Sequence, residues 1–139
     1  MNAMEISLTG LDVEWRRLEV IAANLAHAET AITPDGHGYQ PVRLVSGPGV
    51  SFADLATDGD LQLRGVRVLG MEPEKVAPHR VYEPANPMAD ATGFVSYTGI
   101  DHAGEMLLMA KTSRVYEANL AAFNAARQMY AKALEIGKR

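Results

Sequence analysis

Apolar residues recur with helical spacing near both ends of the chain and lose that spacing between them. In the first stretch Leu11, Trp15, Leu18, Ala22 and Leu25 follow one another at intervals of four and three, and Leu8 extends the series backwards. This places them on one narrow face of a helix, the a/d seam of a coiled coil. Thr9 is the expected N-cap, with Asp12 in the first turn. Asp12, Glu14, Arg16, Arg17 and Glu19 form the polar face, where Asp12 and Arg16 stand at i,i+4. A helix from Thr9 to Ala28 would be roughly 30 Å long, too short to persist alone, so it requires a partner.

The last stretch offers that partner. Residues 105–136 contain neither Gly nor Pro. Asp101 reads as an N-cap and Gly137 as the C′ residue. Lys132, Lys138 and Arg139 lie at the end where the macrodipole favours cations. The expected rod is roughly 48 Å long. One apolar stripe runs through Met109, Tyr116, Leu120, Phe123, Tyr130 and Leu134, interrupted by Ser113 and Arg127. A second runs through Leu108, Val115, Ala118, Ala122, Ala125, Met129 and Ile136. A two-helix pair needs one seam. The first helix can cover one stripe, leaving the other for the middle of the chain or for another molecule. The seam expected to carry assembly comprises Leu11, Trp15, Leu18, Leu25, Val115, Tyr116, Leu120, Phe123, Met129, Tyr130 and Leu134.

Residues 34–104 are punctuated by Gly and Pro. Leu61, Leu63, Val66 and Val68 alternate with polar residues, and Gly65 shifts the phase, which suggests a bulge or tight hairpin. Gly93 to Tyr97 reads as a strand, and Tyr39 to Val45 as a weaker one. Pro34-Asp35-Gly36, Gly47-Pro48-Gly49 and Pro84-Ala85-Asn86-Pro87 read as turns. The expected fold class is α+β. Terminal helices pair as a coiled-coil-like stem, in residues 1–30 and 101–139, around a small inserted β-rich domain in residues 31–100.

The chain has 139 residues, a formal net charge of −4 and a pI near 5.5. No basic stripe suited to nucleic acid is present. The absence of cysteine excludes disulfides, thiolate catalysis and cysteine-ligated metals. No apolar run reaches membrane-spanning length, so direct membrane insertion is not expected. The N-terminus lacks the basic and apolar regions of a cleaved signal, so any export is expected to proceed without one.

Catalytic patterns are missing. His27, His37, His79 and His102 include no i,i+4 pair of the zinc type. Asp58-Gly59-Asp60 lacks the remaining ligands of a calcium loop. Gly36-His37-Gly38 and Gly47-Pro48-Gly49 are not followed by the Lys-Ser/Thr of a phosphate loop. No triad or nucleophile elbow is spaced for catalysis. The expectation is a protein that is not an enzyme and carries no cofactor or metal.

Three stretches resemble one family. Ala22-Ala23-Asn24-Leu25-Ala26-His27-Ala28-Glu29-Thr30 resembles the "NLAN…T" signature of bacterial flagellar axial proteins, through Asn24, Leu25, Ala26 and Thr30. Residues 81–95 are similar to the "YEPGNPLADANGYV" stretch of FlgC-type proximal-rod proteins, through Tyr82, Pro84, Asn86, Pro87, Asp90 and Gly93. Gly104-Glu105-Met106, Ser113 to Asn119 and the ending Leu134 to Gly137 resemble that family's C-terminal helix. The sequence departs from the pattern at His27, where Asn is usual, and at Thr98-Gly99-Ile100 before Asp101.

The resemblance implies a structural subunit of the flagellar basal-body rod in the periplasmic space, stacked helically through its terminal helices. The implied partners are other rod proteins, copies of the chain itself and the flagellar type III export apparatus. Helices at the two chain ends can pair only after both have emerged, which suits a subunit threaded through a channel. The alternative reading is a soluble helical adaptor or binding module of a secretion apparatus, which would present its long helix to one partner.

Overall fold

The computed structural model describes residues 2–50 and 64–137. The strand positions Leu61 and Leu63, the Asp58-Gly59-Asp60 loop, and the terminal Lys138 and Arg139 lie outside the described residues. The elements in chain order are α1 (Ala3–Ala26), β1 (Ala31–Ile32), β2 (Val42–Pro48), β3 (Val66–Pro73), β4 (His79–Tyr82), β5 (Phe94–Tyr97) and α2 (His102–Ile136). The architecture is α+β, with two terminal helices flanking a small β-rich middle.

Helix α1 begins six residues before the expected Thr9–Ala28 segment. Asn2 is the N-cap: its Oδ1 accepts from Glu5 N at 2.9 Å, and Glu5 Oε2 accepts from Asn2 N at 2.9 Å. This reciprocal box satisfies two donors that the first turn leaves orphaned. Thr9 is interior. Its hydroxyl donates to Ile6 O at 2.7 Å and accepts from Val66 N at 3.1 Å, so it ties the helix to β3. The helix closes at His27, whose N–H reaches the carbonyls of Ala23 and Asn24. Helix α2 follows the expected boundaries, with Asp101 accepting from Ala103 N at 3.1 Å and Gly137 as the C-cap.

Among the described residues the middle holds two antiparallel sheets, ordered β1-β5-β4 and β2-β3. In the second, Val45 pairs with Gly70 while Ser46 pairs with Val68, so Leu69 has no partner across the hairpin. This is the bulge, four residues past the expected Gly65. Gly65 itself has φ +66° and accepts from Gly49 N at 2.9 Å. Gly47 and Pro48, expected in a turn, complete β2, where a terminal Pro forfeits no interior ladder bond. The turns at Pro34-Asp35-Gly36 and Pro84 to Pro87 are present. Strands β1 and β4 are additions to the sequence reading.

Helix α1 serves two neighbours. Val13 and Val20 pack with Leu44, supported by Val42 and Val68, and form the core under the hairpin. On its other flank α1 runs antiparallel to α2. Gly10 meets Asn119 and Asn24 meets Glu105, and each helix spans fourteen residues between these contacts, which is two heptads. Because α1 divides its surface in this way, its buried residues are Gly10, Val13, Val20, Ile21 and Asn24. They lie about a third of a turn from the expected Leu11–Trp15–Leu18–Leu25 seam. That stripe is the helix's flank: Leu11, Leu18 and Leu25 are half-buried, and Trp15 is mostly exposed. In α2 the buried residues are Glu105, Thr112 and Ala126, a row of polar and small side chains between the two expected apolar stripes.

Candidate assembly interface

The antiparallel register sets Asn2 opposite Arg127, and Ala126 is the last buried residue of α2. Beyond it α2 has no partner among the described residues. Residues 128–136 form a single-helix overhang of about 14 Å at 1.5 Å per residue. All are exposed, including Met129 at 66%, Tyr130 at 57%, Leu134 at 54% and Ile136 at 76%. An isolated helix of this length is marginal in water, and four large apolar side chains on a segment of about two and a half turns form a sticky patch.

The outer side of α1 supplies a second apolar surface. Leu8, Leu11, Trp15, Val66, Val68 and Tyr116 line an open groove of about 760 Å³. The Trp15 and Tyr116 rings lie 6.2 Å apart and tilted by 51°, while Trp15 Nε1 donates to Glu19 Oε1 at 3.1 Å. The exposed Asp12–Arg16 pair sits on the rim at 3.2 Å, where an ion pair contributes little. Val115 and Leu120 remain about two-fifths exposed on α2, whereas Tyr116 and Phe123 are half-buried. Arg114 and Arg127 are exposed and belong to none of the ion pairs among the described residues.

At the opposite end of the stem lies a polar node. Asn24 is fully buried. Its Nδ2 donates to Val42 O at 3.0 Å and to Glu105 Oε2 at 3.4 Å. Its Oδ1 accepts from Tyr39 Oη at 2.8 Å and from Val42 N at 3.3 Å. The amide thus acts toward Val42 as a neighbouring strand would, and its hydrogen-bonding capacity is filled. Glu105, 2% exposed, pairs with Arg43, which also reaches Glu74 at 2.7 Å. The hydrogen bond to Glu105 raises the Arg43 guanidinium further above its ordinary range, against an opposing effect of burial. Burial first, and then the Glu105 charge, push the Tyr39 phenol up. Tyr39 also stacks on His27, centroids 4.2 Å apart. The motif resemblance singled out Asn24 and included Glu105 only as part of the C-terminal helix; it did not reveal that the two meet, and it missed Arg43 and Tyr39. The one available signal was a carboxylate in the first turn of α2.

The remaining motif residues shape a loop. Tyr82 is exposed, with its ring 5.2 Å from Phe94. Pro84 and Pro87 are exposed in the turn, while Asn86 donates to Glu83 Oε2 at 2.7 Å and accepts from Met88 N at 2.9 Å. Asp90 Oδ1 accepts from Thr92 N at 2.8 Å, Thr92 Oγ1 at 2.6 Å and Phe94 N at 3.1 Å, and its other oxygen pairs with Arg80. The Thr92 hydroxyl, then the Phe94 amide, hold the Asp90 carboxyl down to about 2. Gly93 has φ +81°, a conformation that side-chain-bearing residues resist. Leu25 is half-buried, Ala26 is exposed, and Thr30 O accepts from Thr98 N at 3.1 Å.

Among the described residues no group of His, Asp and Glu is arranged to hold a metal, and no helix is long and apolar enough to cross a membrane.

Residues 91–136 match the family model for the flagellar basal body rod FlgEFG protein C-terminal region. The chain is 35% identical over 138 residues to the flagellar basal-body rod protein FlgC of Salmonella typhimurium, covering 99% of this chain and 98% of that one. It is 32% identical to the FlgC proteins of Borreliella burgdorferi, covering 97% and 95% of the two chains, and of Bacillus subtilis, covering 99% and 97%. The likeness therefore runs through the β-rich middle as well as the helices.

Proposed function

The chain belongs to the FlgC family of flagellar basal-body rod proteins and is a structural subunit of that rod; from this premise we propose how it takes its place there. The α2 overhang and the Leu8–Trp15–Tyr116 side of the stem pack against other rod proteins and copies of the chain. The observation that carries this reading is the unpaired end of α2, where Met129, Tyr130, Leu134 and Ile136 face water. Burying one large apolar side chain is worth about 1.5–3 kcal/mol, so covering this end strongly favours association. Helical stacking needs contacts between unlike surfaces, and the overhang and the α1 groove are unlike surfaces.

The remainder of the reading is a proximal position in the rod, within the periplasmic space, reached through the flagellar type III apparatus without a cleaved signal. The role is mechanical and needs no substrate or cofactor. The adaptor reading would engage a single partner and leave no requirement for the chain in purified rods.

The test replaces the chromosomal copy with a Met129→Asp/Leu134→Asp double variant. The expected result is normal export with no completed rod in purified basal bodies. Intact rods containing the double variant would overturn the assigned surface.

A further inference from the structure

We infer that Asn24 is the register key of the stem: by holding Val42 and Glu105 at once, it sets how far α2 projects beyond α1. The functional weight of that projection rests on the assembly reading above; the register claim itself does not.

Elsewhere the α1–α2 contact specifies its own alignment weakly. Its buried α2 positions are Thr112 and Ala126, and Asn119 meets a glycine. A shift of α2 by one heptad would set Thr112 or Ala126 against Gly10, and a small side chain would again fit. Such a slip moves the helix by about 10 Å and alters the overhang by seven residues. It would replace the Trp15–Tyr116 ring contact and change which apolar residues of α2 are covered.

The node makes a slip expensive. Moving α2 by a heptad in one direction brings Thr112 to Asn24, where it cannot replace a carboxylate. Glu105 and Arg43 would then lose their mutual contact while Arg43 stays partly enclosed, with Nη1 already buried and unpartnered. A single buried polar contact that fixes alignment at some expense in stability is the best-attested use of such groups. Asn24 suits the task because one amide reads both neighbours. Its pairing with Val42 N and O fixes the rotation of α1 against the hairpin, and its bond to Glu105 fixes the position of α2 along α1. The short Gly99–Asp101 link from β5 into α2 is the competing constraint.

The absence of native cysteine makes the test direct. Three cysteine pairs are built in the full chain: Gly10→Cys with Asn119→Cys for the present register, and Gly10→Cys with Thr112→Cys or Ala126→Cys for slipped ones. In dilute monomer only the first pair should oxidise to a disulfide. Adding Asn24→Leu should reduce that crosslink several-fold, with a matching gain in a slipped pair. Glu105→Leu should act alike, whereas Glu105→Gln, which keeps an acceptor for the Asn24 amide, should retain the first crosslink. If Asn24→Leu and Glu105→Leu remain helical and oxidise only the first pair, the β5–α2 link sets the register and the inference is overturned. Loss of helix in both, with no slipped crosslink, overturns it as well, because the node would then be a stability element alone. A slipped stem that still builds rods would instead sink the role assigned to the overhang and leave the key standing.

Discussion

Gly10 leaves the space that Asn119 occupies: a Cβ built at Gly10 would stand 2.9 Å from Asn119 Nδ2 and 3.0 Å from its Cγ. Two opposing effects meet here. An alanine gains about 1 kcal/mol over glycine in a helix interior. Against that, the obstructing atoms are the end of a side chain that can turn aside. Gly10→Ala should therefore change stability by less than about 1 kcal/mol in urea unfolding. Gly10→Leu cannot be accommodated by one rotamer change and should destabilise by about 1–3 kcal/mol. Equal stability of the Leu variant and the parent would show that the helices do not meet at this point.

Thr98 anchors β5 to the end of α1. Its hydroxyl lies 2.8 Å from His27 O and 2.9 Å from Ala28 O, and the residue is buried. Thr98→Val keeps the shape and removes the donor. The expected loss is about 1–2 kcal/mol in urea unfolding, since two carbonyls at a helix end lose a partner. A variant as stable as the parent would mean that water serves those carbonyls equally well.

The loop around Asp90 should respond to acid within a defined window. Its folded carboxyl titrates near 2, below the ordinary 3.8, so the fold favours the charged form. The contribution is therefore complete above about pH 4 and declines as pH falls through about 2. In an NMR titration the Thr92 and Phe94 amide shifts should move with a midpoint near 2, and Asp90→Asn should abolish that step. A midpoint near 4 would contradict the hydrogen-bonded geometry.

Amide exchange should follow the distribution of buried contacts. Protection is expected to be highest around Asn24 and Glu105 and lowest from Arg127 to Ile136, where no residue is buried. Incorporation into the rod should slow exchange of that last segment. Uniform protection along α2 in dilute monomer would argue against an unpartnered end.

Leu120 and Phe123 should separate assembly from folding. Leu120 is 42% exposed and Phe123 is half-buried beside the stem contact. Both Asp variants are expected to block motility, but only Phe123→Asp should also lower monomer stability, by placing a carboxylate in partly apolar surroundings. Swimming cells carrying both substitutions would exclude this part of α2 from the interface.

Some of this architecture was legible from the residues alone. Asp101 and Gly137 bracket α2 because capping is local chemistry. The start of α1 was equally local, in Asn2 and Glu5, but the expected helix began at Thr9, next to a Gly10 that is a point of close approach. The interior face of α1 lies away from the expected stripe for a different reason. Large residues at heptad spacing, from Leu8 to Leu25, are the natural choice for an interior face. The helix instead gives its interior to Val13, Val20 and Asn24, because a hairpin far along the chain also claims it. Nothing in local spacing reveals that Arg43, from β2, reaches the first turn of α2, or that Asn24 finds a carboxylate there. Such contacts arise when the topology closes.

The two ends of the stem are finished to different degrees. One is closed by strands and a polar cluster, while the other trails a lone strip of helix, like a sticky end left by a staggered cut. A body of that kind has a direction. Copies stacked in a common orientation would each offer an open terminus to the next and never cancel it. The resulting shaft would be directional, and its growth would stop only when a differently shaped piece arrived to cover the last exposed strip.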